Sequence, residues 1–466
     1  MASLDLSIVN VAFPALERAF HHDSTATLTW VVTGYSIVFG ALLVIAGRTA
    51  DRLGSRRIFL IGLGIFCVGS ALCAFAPIVP VLIGGRVIQG IGAAAILPAS
   101  LGLLLGAYPS EKRSQVVALW GGIGALAVAT GPSFGAALIT AFGWRSAFFV
   151  NLPIGLLAWL IGRRVLAEST PNNNLASPDY PGVVLLGLAL VSLVLAITEG
   201  ESWGWSSPAI IASFASSMAL GAAFIVRSRR HDEPVLDLTL FRERAFSIAN
   251  LATFIYAMGF FAMLLGNILF LTSVWHYSIL MAGLAVTPGP LVVAIVSGPA
   301  GRLAGKIGFR PILMAGFAIY TLGISWYVAR VGMQREYLTT WLPGTLIVGL
   351  GIGLTFPLLS ASAVSKLRPE RFAVGSSVNQ TARQIGGSIG VAMLVVILGD
   401  PTSPESALEH FDHLWTYIAA MAIVAGVICV ALPSRRATSA SLAGERDVDG
   451  SRGLEEVLDG EIPVRD

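Results

Sequence analysis

The chain has 466 residues, of which 55% are hydrophobic and only 12% are charged, and its mean hydropathy is +0.77. Soluble domains carry about 25% charged residues, so this composition excludes an ordinary soluble protein. The small net charge of +3 reflects arginines in cytoplasmic loops of a membrane protein and predicts no nucleic-acid partner. Apolar runs long enough to cross a bilayer predict helices, because hydrocarbon offers backbone groups no other hydrogen-bond partner.

Hydropathy predicts fourteen membrane segments, six before residue 165, two in the middle and six after residue 245. They lie near 2–16, 28–47, 58–76, 79–105, 115–139, 146–162, 181–198, 208–226, 246–272, 280–300, 311–329, 340–362, 375–398 and 412–432. The charged tail, 433–466, has few aromatic residues and is predicted to be a disordered cytoplasmic extension. The first segment opens at Met1 and is short for a bilayer about 30 Å thick. We therefore expect that part of this helix is missing and that the true start lies upstream.

Arginines and lysines of the connecting segments lie mostly on one side if the second segment ends in the cytoplasm. The positive-inside rule then predicts a multi-pass protein of the inner or plasma membrane with a cytoplasmic C-terminus. A sequence repeat supports two related bundles, because Gly47–Arg56 recurs with half of its positions identical as Gly301–Arg310. The predicted organisation is an N-terminal six-helix bundle (1–165), an inserted helix pair with linkers (166–245), a C-terminal six-helix bundle (246–432) and the tail.

The first segment, Leu4-Asp-Leu-Ser-Ile-Val-Asn10, carries an acidic residue and an amide. A carboxyl group inside a membrane helix is functional by default. Burial disfavours the charged form of Asp5, while a nearby arginine such as Arg86 would favour it, so the group can bind and release protons. The alternative is a static ion pair that fixes two helices. Asn10 is a candidate cavity residue.

The loop after the second segment is rich in glycine and charge. Gly47 permits close helix packing, Gly54 permits a turn with positive φ, and Asp51 can pair with arginines or face a helix N-terminus. The loop residues that we single out are Gly47, Asp51, Arg52, Gly54, Arg56 and Arg57. The alternative is an ordinary basic loop that only sets orientation.

The fourth segment contains Arg86-Val-Ile-Gln89-Gly90-Ile-Gly92. An arginine about 10 Å inside the membrane is costly unless it faces protein or water. Its side chain could instead snorkel to the headgroups, but the glycine-rich stretch indicates a helix–helix face. Gln89 is a further candidate for the cavity.

The fifth segment contains Gly131-Pro132-Ser-Phe-Gly135. Proline bends a helix and glycines permit close packing, although a simple kink is the alternative. In the C-terminal half, Asn379 and Arg383 are candidate cavity residues. Arg383 either balances charge near a cavity or packs with Gln384, and the sequence leaves both open.

No phosphate-binding loop, metal-ligand spacing or catalytic constellation occurs in the sequence, and the three cysteines lie in apolar segments. We therefore expect no cofactor, no metal and no enzymatic activity.

The order and spacing of these motifs resemble the fourteen-helix drug:proton antiporter branch of the major facilitator superfamily over essentially the whole chain. Gly143-Trp-Arg145 and Asn151-Leu-Pro153 add to the resemblance, whereas Ala136 and Gly305 depart from its motifs. The resemblance implies that the 47–57 loop latches two halves shut on the cytoplasmic side. It also implies that Arg86 takes part in proton coupling and that Gly131-Pro132 belongs to a motif of antiporters.

The predicted function is export of small lipophilic compounds, such as drugs, dyes or antibiotics, in exchange for protons by alternating access. The predicted fold is all-helical and polytopic, with two six-helix bundles plus two inserted helices. Asp5 is the predicted proton carrier, the substrate is expected between the halves, and the partners are substrate, protons and membrane lipid, with a periplasmic adaptor as an optional addition. The alternatives are a proton-coupled uptake symporter on the same fold and a non-transporting membrane receptor.

Overall fold

The computed structural model describes residues 1–108, 113–167, 179–231, 234–236, 238–367, 371–399, 401 and 403–433, and every regular element in these ranges is helical. The N-terminal part comprises α1 (Ala2–Ala19), α2 (Thr25–Leu53), α3 (Ser55–Ala74), α4 (Val79–Ala107), α5 (Arg113–Phe142), α6 (Ser146–Phe149) and α7 (Asn151–Val165). The predicted disorder of the tail concerns residues 434–466, which lie outside the described ranges.

The middle of the chain forms α8 (Tyr180–Thr198), α9 (Gly200–Trp203) and α10 (Pro208–Arg230). After a short 3-10 turn at Leu238–Arg242, the C-terminal part comprises α11 (Arg244–Ser273), α12 (Ile279–Val286), α13 (Pro288–Ile307), α14 (Phe309–Arg330), α15 (Leu342–Val364), α16 (Phe372–Leu398) and α17 (Pro404–Cys429). A π-helical turn at Tyr337–Trp341 leads into α15.

Twelve helical stretches in the described part of the chain are long and apolar enough to cross a membrane. The remaining two predicted segments correspond to α1, which carries Asp5, Glu17 and Arg18, and to α5. Each predicted segment thus falls on a helix or a continuous helix pair. The all-helical, multi-pass architecture is confirmed, and fourteen remains an approximate count of the spans.

The two copies of the sequence repeat form the same backbone turn. Gly54 ends α2 and begins α3 with φ of 98°, and Gly308 does the same between α13 and α14 with φ of 92°. A side chain at either position would be strained, because residues with a Cβ atom rarely adopt this region. The positive-φ turn predicted at Gly54 is therefore confirmed, and the second copy shares it.

The N-terminal part of the chain (α1–α7) and its C-terminal part (α11–α17), here called the two halves, pack against each other through several helices. Helix α2 packs against α16, and α5 packs against α12 and α13. Thr381 Oγ1 donates a hydrogen bond to the Gly40 carbonyl oxygen at 2.8 Å on the first contact. Ser133 Oγ and Thr287 Oγ1 lie 2.7 Å apart on the second. These two regions of contact between the N-terminal and C-terminal parts of the chain are together called the seam.

The inserted helix pair packs on the α2–α16 side of the seam, since α8 contacts both of those helices and α10. Apolar side chains of α8, such as Leu190 and Val194, pack with Ile37 of α2 and Ala392 of α16. The pair is also joined by charge, because Arg227 Nε of α10 lies 2.6 Å from Asp179 Oδ1 at the N-cap of α8. Through α8, the pair thus contacts one helix of each half.

Candidate functional site

A fully buried ion pair joins the first and fourth helices of the N-terminal half. Arg86 Nη1 lies 2.5 Å from Asp5 Oδ2, and neither side chain has any exposed surface. The other carboxylate oxygen accepts hydrogen bonds from Asn151 Nδ2 at 2.8 Å and Gln89 Nε2 at 3.3 Å. The structure therefore brings together three of the residues singled out in the sequence, Asp5, Arg86 and Gln89.

The guanidinium group of Arg86 is hydrogen-bonded at Nε and Nη1, whereas its buried Nη2 has no hydrogen-bond partner among the described residues. Its Nε donates to the Val31 carbonyl oxygen at 2.8 Å and its Nη1 to Gln89 Oε1 at 2.9 Å, while its Cζ lies 4.2 Å from the centre of the Tyr35 ring. An arginine in this position does not snorkel to the headgroups. Hydrogen bonds, one carboxylate and an aromatic face lower the cost of burying its charge.

Two further side chains complete the network and were not among the sequence-based candidates for the site. Asn151 begins α7 and reaches Asp5 across a separation of 146 residues. Ser70 of α3 accepts a hydrogen bond from Gln89 Nε2 at 2.6 Å. The Asn151-Leu-Pro153 motif was the available signal for the first residue, whereas an isolated serine in an apolar helix gave none for the second. Five polar side chains from α1, α3, α4 and α7 thus form one buried network, here called the Asp5 network.

Asn10 lies on the same helix as Asp5 but outside this network. Its side chain is 7% exposed, and its Nδ2 donates to the Leu6 carbonyl oxygen of its own helix at 2.9 Å. The geometry thus gives Asn10 a local role in α1, and its predicted place in a cavity stays a prediction.

The Gly131-Pro132 motif of α5 lies where α1 meets the seam. A Cβ atom at Gly131 would lie 2.5 Å from Ser7 Oγ, and one at Gly135 would lie 2.9 Å from Ile8 Cγ1. On another face of α5, the Pro132 carbonyl oxygen would be 2.7 Å from a Cβ atom at Gly283 of α12. The motif therefore packs the Asp5-bearing helix on one side and the C-terminal half on the other.

Residues 47–57, predicted to be a loop, are helical on both sides of Gly54, because α2 continues to Leu53 and α3 begins at Ser55. Two of the contacts of this segment lie within the N-terminal half. Gly47 of α2 faces Pro98 of α4, and Arg56 Nη2 donates to the Arg163 carbonyl oxygen at the end of α7 at 2.7 Å. Arg52 is half-buried, whereas Asp51 and Arg57 are exposed. These contacts fix the loop against α4 and α7, and a latch to the other half stays a prediction.

In the C-terminal half, Asn379 and Arg383 of α16 lie in a second polar group. Arg383 Nη2 donates to Ser360 Oγ at 2.7 Å, and Ser360 donates to Asn379 Oδ1 at 2.9 Å. Asn379 Nδ2 donates in turn to Thr253 Oγ1 at 3.0 Å and to Asn250 Oδ1 at 3.2 Å. Arg383 thus turns towards α15, not towards its neighbour in sequence, Gln384.

The polar groups that these two sites contain are one carboxylate, two guanidinium groups and several amides and hydroxyls. Within the described ranges, no three His, Cys, Asp or Glu side chains are arranged to hold a metal ion. Asp5 is a buried carboxyl group with a fixed cation beside it, so its two protonation states differ in their attraction to α4. A proton on Asp5 would remove the charge partner of Arg86 without removing the arginine.

A helical bundle with a repeated glycine turn and with buried polar groups inside its membrane-length helices is typical of secondary transporters. The family model described as Major Facilitator Superfamily matches residues 1–391. The chain therefore belongs to the major facilitator superfamily.

Relatives within this family include named resistance proteins. The chain is 34% identical over 401 residues to "Multidrug resistance protein Stp" of Mycobacterium tuberculosis, covering 85% of this chain and 73% of that protein. It is 29% identical over 401 residues to "Tetracenomycin C resistance and export protein" of Streptomyces glaucescens, again with 85% and 73% coverage.

A solved structure shares the fold at low sequence identity. The xylose transporter XylE of E. coli, in a partially occluded inward open conformation, superposes with a TM-score of 0.63 at 13% identity. The match covers 93% of this chain and 95% of XylE. This likeness concerns the fold alone, because the identity is too low to transfer a substrate or a mechanism.

Proposed function

We propose that this protein exports small lipophilic compounds in exchange for protons and that Asp5 carries the proton. The observation that carries the proposal is the buried Asp5 network. An intramembrane carboxyl group held by an arginine and two amides is costly to maintain and is typical of proton-coupled carriers. The names of the relatives, which refer to multidrug resistance and to tetracenomycin C resistance and export, support the outward direction.

Protonation of Asp5 would affect the seam through the helices that pack against α1. The charged carboxylate holds α1 to α4 through Arg86, and protonation would weaken that attraction. The packing of Gly131 on Ser7, two residues from Asp5, couples a displacement of α1 to α5. Since α5 packs on α12 and α13 of the other half, the protonation state of Asp5 would bias which side of the seam is open.

The 47–57 loop would supply the cytoplasmic closure. Its turn is fixed by Gly54, while Asp51 and Arg57 remain exposed and available for contacts with the other half when the seam closes. We further propose that the protein lies in the cell membrane with its C-terminus in the cytoplasm, because basic residues concentrate in loops on that side.

Everted vesicles that are acid inside test the exchange. Addition of tetracenomycin C, or of a panel of lipophilic dyes and antibiotics, should release protons from the lumen in vesicles that contain the wild-type protein. Asp5→Asn should abolish that release, because asparagine keeps the shape but cannot take up and release a proton. Asp23→Asn is the matched control, since Asp23 is an exposed carboxylate in the turn after α1.

Each outcome has a distinct meaning. Release by wild type and Asp23→Asn, but not by Asp5→Asn, would support the proposal. Proton uptake into the lumen on substrate addition would favour the symporter. Absence of proton movement with any compound, from protein shown to be inserted and folded, would contradict proton-coupled export and favour the receptor. Release that survives Asp5→Asn would move the proton to another residue.

A further inference from the structure

Arg383 of α16, in the C-terminal half, has no acidic partner among the described residues. The sequences of α11 to α16 contain neither aspartate nor glutamate, and in the described residues Arg383 forms no salt bridge. In the N-terminal half, by contrast, Arg86 is neutralised by Asp5 at 2.5 Å. A cation in a membrane helix without a counter-charge is energetically costly. We therefore expect a ligand or a compensating structure to stabilise the charge of Arg383.

The hydrogen bonds of Arg383 leave part of its donor capacity unused. Its Nη2 donates to Ser360 Oγ, whereas its buried Nε has no hydrogen-bond partner among the described residues. The guanidinium group presents several N–H donors in a planar fork and no acceptor. The residue is partly exposed, so a ligand with acceptor oxygens could complete its hydrogen bonding.

The polar neighbours hold Arg383 in place without neutralising it. Ser360 donates its own proton to Asn379 Oδ1, so its oxygen is free to accept from the guanidinium. Asn379 is anchored in turn by Asn250 and Thr253 of α11. All of these groups are uncharged, so they orient the arginine and none of them balances its positive charge.

An aromatic surface lies directly beside the guanidinium group. Arg383 Cζ is 4.2 Å from the centre of the Phe356 ring, and the Phe356 and Phe260 ring centres are 4.5 Å apart. Tyr256 extends the cluster, with its ring centre 5.4 Å from that of Phe356. Phe260, Phe356 and Ser360 are partly exposed like Arg383, so the cation and the rings form one accessible surface on α11, α15 and α16.

We propose that this surface binds an aromatic monoanion, with a carboxylate, enolate or phenolate oxygen on Arg383 and its ring system on Phe260 and Phe356. A single acceptor group would supply the missing counter-charge and hydrogen bonds, since charge-assisted bonds to guanidinium are strong and directional. The site is separate from the Asp5 network. Its role in transport rests on the proposed export function, while its ligand class does not.

The alternative is that Arg383 only packs α15 against α16 through Ser360 and Phe356. A structural arginine predicts no preference between ligands of different charge. The test therefore compares three naphthalene probes that share one ring system, namely naphthoate, naphthamide and naphthylmethylammonium. Binding is measured by equilibrium dialysis at neutral pH on the purified full chain in phosphatidylcholine nanodiscs, which present no anionic lipid that could compete for the site.

Wild-type protein should bind naphthoate at least about tenfold more tightly than naphthamide, and naphthylmethylammonium most weakly. Arg383→Gln should weaken naphthoate binding by roughly 10- to 100-fold, the range expected for loss of a charge-assisted hydrogen bond, and should leave naphthamide binding nearly unchanged. Arg383→Lys should retain part of the preference for the anion. Arg330→Gln is the matched control, because Arg330 also stacks on an aromatic ring, that of Trp326, but lies exposed at the end of α14.

Equal binding of acid and amide by wild type, a preference for the ammonium, or no binding of any probe would overturn the proposal. So would an acid preference that survives in Arg383→Gln. The vesicle assay distinguishes failure of the anion-site proposal from failure of the proposed proton-coupled export. Naphthoate binding without any proton release would support the anion site and contradict antiport. Proton release with cationic compounds only would support antiport and contradict the anion site.

Discussion

The ion pair between Asp5 and Arg86 allows a quantitative test of how the buried network is held together. The perturbation is a double-mutant cycle with Asp5→Asn, Arg86→Gln and the combination of both. Each single substitution removes one charge and leaves its partner buried, whereas the double variant removes both charges and leaves two amides that can hydrogen bond. The two effects should therefore not add.

The geometry sets the expected size of each effect. Both side chains are fully buried, and their nearest charged atoms are 2.5 Å apart. Removing one partner of a buried ion pair costs about 3–5 kcal/mol, because the remaining charge is left without compensation. In Asp5→Asn the new amide NH2 replaces a carboxylate oxygen that accepted a hydrogen bond from either Asn151 Nδ2 or Arg86 Nη1. Two donors would then face each other. We expect each single variant to lose about 3 kcal/mol or more, and the double variant to be about 1–3 kcal/mol more stable than the sum of the two losses.

The assay is reversible unfolding in mixed micelles with increasing denaturing detergent, followed by far-ultraviolet circular dichroism. Asp23→Asn again serves as the control for loss of a carboxylate at an exposed site. Strict additivity of the two single losses would refute a direct pairing of Asp5 with Arg86. Single variants within about 0.5 kcal/mol of wild type, the usual effect of surface substitutions, would refute the burial of the pair.

Two further predictions concern packing around the seam and the inserted pair. Gly131→Ala should cost about 1–3 kcal/mol and lower transport, because the new Cβ atom would lie 2.5 Å from Ser7 Oγ. Gly124→Ala in the same helix should leave both unchanged, because a Cβ atom there would meet no described atom within 4 Å outside its own helix backbone. Equal effects of the two in thermal unfolding and vesicle transport would contradict the close packing. Asp179→Asn should lower stability by about 1 kcal/mol through loss of the ion pair with Arg227, which is 35% exposed. Asp179→Ala should cost about 1 kcal/mol more, because it also removes the N-cap, and equal losses in the two variants would argue against that capping role.

The two intramembrane arginines show how similar sequence signals lead to different environments. Arg86 and Arg383 both lie in apolar helices near glycines and a glutamine. The structure gives Arg86 a carboxylate and complete burial, and it gives Arg383 a serine hydroxyl, an aromatic ring and partial exposure. Because of this contrast, the two proposals place proton binding on Asp5 in the N-terminal half and anion binding on Arg383 in the C-terminal half.

The sequence by itself determined the membrane class, the order of the helices and the glycine turn at Gly54. These features depend on local physics, because an apolar run of sufficient length must form a helix in hydrocarbon and a positive φ favours glycine. The motif order also identified the family, which the match over residues 1–391 confirmed.

Only the tertiary structure decided which polar side chains meet. Asn151 reaches Asp5 from 146 residues away, Arg383 turns to Ser360 of α15, and the inserted α8 packs on the α2–α16 side of the seam. Such contacts depend on how each helix is rotated about its axis. In a membrane protein the lipid-facing and core-facing sides of a helix are both apolar, so the sequence carries little periodic signal to fix that rotation.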